Sequence, residues 1–208
     1  MTFPCLPPSE VEVPEITFQD HVDLPPADTA LVIVDMQNDF VSEGGSLVVP
    51  AAAETVPRIQ ELLESARSAG VRVAFTQDTH LEGDSEWEIW PAHVHEGSWG
   101  WGIIDKLRPR EQELVCRKSR YDAFYDTSLD HYLSRAWKVQ HLVIVGTVSN
   151  ICVLHTAASA GLRWFHIVVP ADAISALTPF DQASTLRQVS TLYNGDVVRS
   201  TADVRFQE

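Results

Sequence analysis

Thr29-Ala30-Leu31-Val32-Ile33-Val34-Asp35 places six residues without a charge, four of them β-branched, directly before a carboxylate. An apolar run of this kind, with no polar alternation, reads as a strand buried on both faces, as in a parallel sheet. A helical stretch follows over Ala51–Ala69, where Val56, Ile59, Leu62, Leu63 and Ala66 share one stripe and Gly70 supplies the stop. The same alternation then repeats. Strands are predicted at 71–76, 113–118, 141–146, 165–169 and 195–199, and helices at about 128–137, 150–161 and 180–192. Strands that alternate with helices form right-handed βαβ units, so the expected fold is α/β: three layers, with a mostly parallel six-stranded sheet covered by helices on both faces.

Residues 1–28 break this pattern. They hold six prolines, six acids and no Lys or Arg, and read as an extended N-terminal arm ahead of one domain over 29–208. A free tail is the alternative, and the apolar Val11, Val13, Ile16 and Phe18 tilt the reading slightly toward an arm that docks on the surface or on a partner subunit. The whole chain carries 29 acids against 15 Lys and Arg, a net charge of −14. That balance argues against nucleic acid and against anionic membrane as partners. No apolar run approaches the ~20 residues of a membrane span. Cys5, Cys116 and Cys152 are too few and too widely spaced for a disulfide framework, which suits a reducing, cytoplasmic setting.

Ligands in open α/β sheets bind beyond the carboxyl ends of the strands. The residues expected there are Asp35, Gln37, Asn38 and Asp39 after the first strand, Asp78 and His80 after the second, Lys118 after the third, and Thr147 to Cys152 after the fourth. Cys152 falls in the first turn of a helix, where free N–H groups and the helix dipole favour a thiolate. A carboxylate at the position of Asp35 is partly desolvated and suits a proton acceptor or, equally, a turn cap. Asp78-x-His80 offers two metal ligands on one side of an extended strand, and His93 and His95 compete for a third place. Trp87, Trp90, Trp99 and Trp101 either line an aromatic pocket or pin the long connection to the sheet.

Together these segments resemble the isochorismatase-like cysteine hydrolases, and nicotinamidases in particular, over about Thr29 to Ser200. The motifs are Val34-Asp35-Met36-Gln37-Asn38-Asp39-Phe40 with Gly44-Gly45, Lys118 ahead of Ser119-Arg120-Tyr121, and Gly146-Thr147-Val148-Ser149-Asn150-Ile151-Cys152-Val153. The resemblance implies Asp35, Lys118 and Cys152 as the catalytic set. It also implies backbone amides of Val148 and Cys152 as the oxyanion donors, and a cis peptide at Thr147–Val148. Asp78-x-His80 and Trp90-Pro91-Ala92-His93 are similar to the nicotinamidase metal motif. That similarity implies a divalent metal, zinc, on Asp78, His80 and His93, with Phe40 and Trp90 against the substrate ring.

The implied reaction is hydrolysis of a small amide through a thioester, with nicotinamide as the leading substrate. The segment Asn150-Ile151-Cys152-Val153 also resembles amidases of ureido and carbamoyl compounds, so a ureido, carbamoyl or lactam C–N bond is the alternative. The family further implies a homo-oligomer, a dimer or tetramer.

Overall fold

The computed structural model describes residues 14–207. Its central sheet is built from β2 (Thr29–Val34), β3 (Arg72–Asp78), β4 (Leu114–Lys118), β5 (His141–Thr147), β6 (His166–Pro170), β7 (Ile174–Ser175) and β8 (Asp196–Val198). The order is β4-β3-β2-β5-β6-β8, with β7 pairing β5 off this path, and every pairing is parallel. The expected architecture is therefore present, with seven strands in place of six. The added strand, β7, has two residues, too short to leave a periodic signal.

The uninterrupted apolar run of β2 has a direct cause. Leu31 and Ile33 face one hydrophobic cluster, and Ala30, Val32 and Val34 face the other. On the first face, α1 (Ala52–Ala69) lays Val56, Ile59, Leu62, Leu63 and Ala66 onto the sheet, the stripe read from sequence. Gly70 closes it in the left-handed region at φ 77°. The second face is covered by Leu129 and Leu133, by α2 (Leu154–Leu162) and by α3 (Pro179–Leu192). Two of the expected helices are less regular than their patterns suggest. Residues Tyr132–Trp137 are wound as π-helix after a single α-helical turn, and Ser149–Val153 as π-helix ahead of the α-helix Leu154–Leu162.

Outside the main sheet, β1 (Val22–Leu24) pairs with β9 (Val204–Phe206), which ties the two ends of the described chain together. Ile16 and Phe18 pack on the second cluster, and the Gln19 amide donates to Val197 O at 2.9 Å. The Arg199 guanidinium lies 4.4 Å from the centre of the Phe18 ring. Cys5, Val11 and Val13 lie outside the described residues. No helix among the described residues is long and apolar enough to cross a membrane.

β2 and β5 sit side by side in the middle of the sheet and bring Asp35 and Thr147 to the same edge. Their close approach depends on Gly146, which has φ 117° and would put a Cβ 2.1 Å from Val34 O. Gly70 has no atom within 4 Å of such a Cβ, so only its backbone conformation resists substitution. Gly70→Ala is expected to cost about 1–2 kcal/mol of stability. Gly146→Ala should cost clearly more, because the two central strands must part. Guanidinium unfolding midpoints measure both, and equal losses at the two positions would contradict this packing.

Candidate active site

The carboxyl edge of the sheet gathers groups from four strands. Asp35 follows β2, Asp78 ends β3, Lys118 ends β4, and Cys152 lies in the π-turn that follows β5. Lys118 is at their centre. Its Nζ lies 2.8 Å from Asp35 Oδ2, 3.1 Å from Asp78 Oδ1 and 3.5 Å from Cys152 Sγ, and it donates to Arg120 O at 3.0 Å. All four side chains are buried. The second Asp35 oxygen, Oδ1, accepts from Thr76 Oγ1 at 2.6 Å, and Thr76 Oγ1 accepts from the Asp35 amide at 3.1 Å. Thr76 is thus a holder of Asp35 that sequence reading missed. Threonine inside a strand is common and marks nothing by itself.

The charges follow from burial and proximity. Desolvation would discharge Lys118, but Asp35 and Asp78 outweigh it and hold the ammonium well above its usual pKa. Burial raises the Asp35 carboxyl, and Lys118 offsets only part of that rise. For Asp78 burial also pushes upward, yet Lys118 and His80 prevail and hold it at about 2. Burial drives the Cys152 thiol well above its ordinary value, with Lys118 opposing and Asp35 and Asp78 reinforcing. This corrects the expectation that the helix start alone favours a thiolate. The sulfur is desolvated beside two carboxylates, so the thiol keeps its proton until a base removes it.

Beside this cluster, Asp78, His80, Glu86 and His93 are buried and offer ligand atoms that all lie within 4.8 Å of one another. His80 Nε2 is 3.3 Å from Asp78 Oδ2, and His93 Nε2 is 3.9 Å from the same oxygen. His80 Nε2 is buried and has no hydrogen-bond partner. Two carboxylates, two imidazoles and an orphaned ring nitrogen fit a divalent ion of the zinc type. His95 is exposed, so burial separates the two histidines that spacing alone left in competition.

Glu86 was not among the residues read from sequence. It is brought in by a short 3-10 turn over Ser85–Glu88, which no periodic signal announces. The neighbouring tryptophans divide between the two roles considered for them. Trp90 lines the cavity, whereas Trp87 donates to His93 O at 3.2 Å and Trp101 to Thr79 Oγ1 at 2.9 Å, pinning the connection. Trp99 is exposed. Gln37 and Asp39, also expected at this edge, brace the loop: Gln37 exchanges two 2.8 Å bonds with the Asp78 backbone, and Asp39 accepts from the Val94 amide at 2.7 Å.

One cavity joins the two clusters. Cys152, Val148, Asp78 and His93 line it together with the aromatic Phe40 and Trp90. Trp90 is anchored by a 3.0 Å bond to Tyr121 Oη, and Phe40 lies 5.6 Å from the His93 ring between centroids. The peptide Thr147–Val148 is cis.

A parallel sheet whose carboxyl edge buries an acid, a lysine and a thiol beneath a small aromatic cavity defines a class of α/β protein built to treat a small molecule out of water. The chain belongs to the isochorismatase family: the isochorismatase domain model matches residues 29–203. A ureidoacrylate amidohydrolase, RutB, from Serratia proteamaculans is 28% identical over 214 residues, covering 90% of this chain and 86% of that protein. N-carbamoylsarcosine amidase from Thermoplasma acidophilum is similar in structure, with TM-score 0.75 and 35% identity over 83% of this chain and 96% of that one. Nicotinamidase PncA from Bacillus subtilis gives TM-score 0.77 at 27% identity, over 83% and 100% of the two chains. A pyrazinamidase from Pyrococcus horikoshii, in complex with zinc, gives 0.77 at 25%, over 82% and 98%.

Lys118 neutralises two buried carboxylates. Lys118→Met is expected to lower stability by about 3–5 kcal/mol, because it leaves Asp35 and Asp78 buried without a cation. Chemical denaturation checks this, and an unchanged midpoint would contradict the charge assignment.

Proposed function

We propose that the chain is a cysteine amidohydrolase that cleaves the C–N bond of a small ureido or carbamoyl compound. The observation that carries the reading is the contact of one buried ammonium with both Asp35 and Cys152, at 2.8 Å and 3.5 Å, beside the cavity. In the first half-reaction Asp35 takes the thiol proton and Cys152 Sγ bonds to the carbonyl carbon. The backbone amides of Val148 and Cys152 hold the developing oxyanion. The C–N bond breaks, and Asp35 returns its proton to the departing ammonia or amine. In the second half Asp35 takes a proton from water, the hydroxyl adds to the carbonyl carbon of the thiocarbamate, and as the C–S bond breaks Asp35 gives that proton to the leaving sulfur, which regenerates the thiol. Burial suits Asp35 to this shuttle, since a carboxyl with a raised pKa accepts a proton more readily than a solvated one.

The choice of a ureido or carbamoyl group rests on the similarity to ureidoacrylate amidohydrolase and N-carbamoylsarcosine amidase. Nicotinamide, the leading expectation from sequence motifs, becomes the second reading. One observation favours it: Asp78, Glu86 and His93 line the same cavity as Cys152 and the aromatic Trp90. In either reading Asp78, His80, Glu86 and His93 hold a divalent ion, zinc, which when bound supplies a Lewis-acidic point for a heteroatom of the substrate or a water.

Ammonia release from ureidoacrylate, N-carbamoyl amino acids, nicotinamide and benzamide separates these readings. Turnover of the ureido and carbamoyl compounds with Cys152→Ala inactive is the expected result. Turnover of nicotinamide alone would replace the substrate assignment, and an active Cys152→Ala would remove the nucleophile. Protein prepared without chelator is expected to hold about one zinc per chain. His93→Ala should lose it and His95→Ala should keep it, as measured by elemental analysis; retention by His93→Ala would contradict the ligand set.

A further inference from the structure

Asp84 touches neither the cavity nor Cys152, yet its carboxylate reaches two of the four candidate metal ligands. Oδ2 lies 2.9 Å from His80 Nδ1. Oδ1 accepts the backbone amide of Glu86 at 2.9 Å and so caps the 3-10 turn that carries the Glu86 side chain inward. The third partner is Arg120, whose Nη1 donates to Oδ1 at 3.2 Å and to Oδ2 at 3.1 Å. Arg120 in turn presents its carbonyl to Lys118 Nζ at 3.0 Å. A single carboxylate therefore links the ring orientation of His80, the backbone turn of Glu86 and the segment that follows Lys118.

We propose that Asp84 is a positioning residue for the metal site, setting the tautomer of His80 and the placement of Glu86 together. A carboxylate can only accept, so it fixes the His80 proton on Nδ1 and leaves the Nε2 lone pair free. Nε2 is the nitrogen that faces Asp78 and is buried without a hydrogen-bond partner. Partners of this kind orient ligating histidines and raise their basicity. Here the same group also builds the turn that supplies another ligand, so its loss acts on two ligands at once. The inference rests on the reading that Asp78, His80, Glu86 and His93 hold a divalent ion.

Asp84→Asn tests it, because the change keeps the size and shape of the side chain. An amide has one acceptor and one donor end, whereas Asp84 meets the Glu86 amide with Oδ1 and the His80 ring with Oδ2. With Oδ1 toward the Glu86 amide, the NH₂ faces His80 Nδ1 and drives the ring proton to Nε2, the metal-facing atom. With the amide reversed, the NH₂ faces the Glu86 N–H and the turn loses its cap. The probe is zinc alone, measured by competition with a chromophoric chelator on wild type, on Asp84→Asn and on Glu88→Gln, a control that removes an exposed acid from the same turn. The expected result is zinc affinity weakened about 10- to 100-fold in Asp84→Asn, with Glu88→Gln at the wild-type value and zinc-free Asp84→Asn still unfolding in one cooperative transition. Wild-type affinity in a folded Asp84→Asn would overturn the proposal while leaving the metal site intact. Failure of wild type itself to take up zinc would overturn the metal reading and this proposal together. Should Asp84→Asn not fold, the ¹⁵N spectrum of His80 in zinc-loaded wild type decides. A protonated Nδ1 supports the assignment, and an Nδ1 without its proton overturns it.

Discussion

The Lys118 ammonium, sealed from water between Asp35 and Asp78, is the interaction on which the rest of the site depends. An isolated charge at that depth would be costly, and the two carboxylates supply both its counter-charge and its hydrogen-bond acceptors. Three adjacent parallel strands are needed to bring these groups together, because each side chain comes from the end of a different one. β2 lies between β3 and β5, and β4 flanks β3, so Asp35, Asp78 and Lys118 converge without any long loop. Cys152 completes the set from the turn after β5, and Gly146 allows that strand to approach β2. The fold and the site therefore share one constraint, the register of the central strands.

Lys118 also joins two pieces of chemistry that are separate in sequence. Through Asp35 and Cys152 it faces the proposed nucleophile, and through Asp78 it faces the four-residue cluster. Asp78 serves both sides, with Oδ1 toward the lysine and Oδ2 toward His80 and His93. A substrate in the cavity would meet both the Cys152 thiol and the candidate ligands Asp78, Glu86 and His93, which line it together. This shared carboxylate explains why a distorted metal loop would also disturb the ammonium, and why Gln37 and Asp39 hold that loop by hydrogen bonds to its backbone.

Much of this arrangement was legible in the sequence, for definite reasons. The run Thr29–Val34 is apolar throughout because opposite faces of β2 enter two different clusters, and such a run has few other readings. Asp35 follows β2, Lys118 ends β4 and Cys152 lies in the turn after β5, so a rule about strand ends located them together. Glu86 and Asp84 stayed hidden because they arrive on a 3-10 turn within an irregular connection, where neither period 2 nor period 3.6 operates. Thr76 stayed hidden because a strand threonine is ordinary. The state of the Cys152 thiol was misread because position at a helix start was visible in sequence, whereas burial beside two carboxylates was not. The substrate is the least legible element, since the metal motif and the Asn150-Ile151-Cys152 segment point to different relatives.

The central claim is a covalent one: Cys152 carries the acyl group between the two half-reactions. Rapid acid quench of the protein with a slowly hydrolysed amide, followed by peptide mass spectrometry, tests it directly. The account predicts an added acyl mass on the peptide containing Cys152, removable by hydroxylamine and missing in Asp35→Asn. Turnover with no adduct on that peptide under single-turnover conditions, or an adduct on Cys116 in its place, would contradict it.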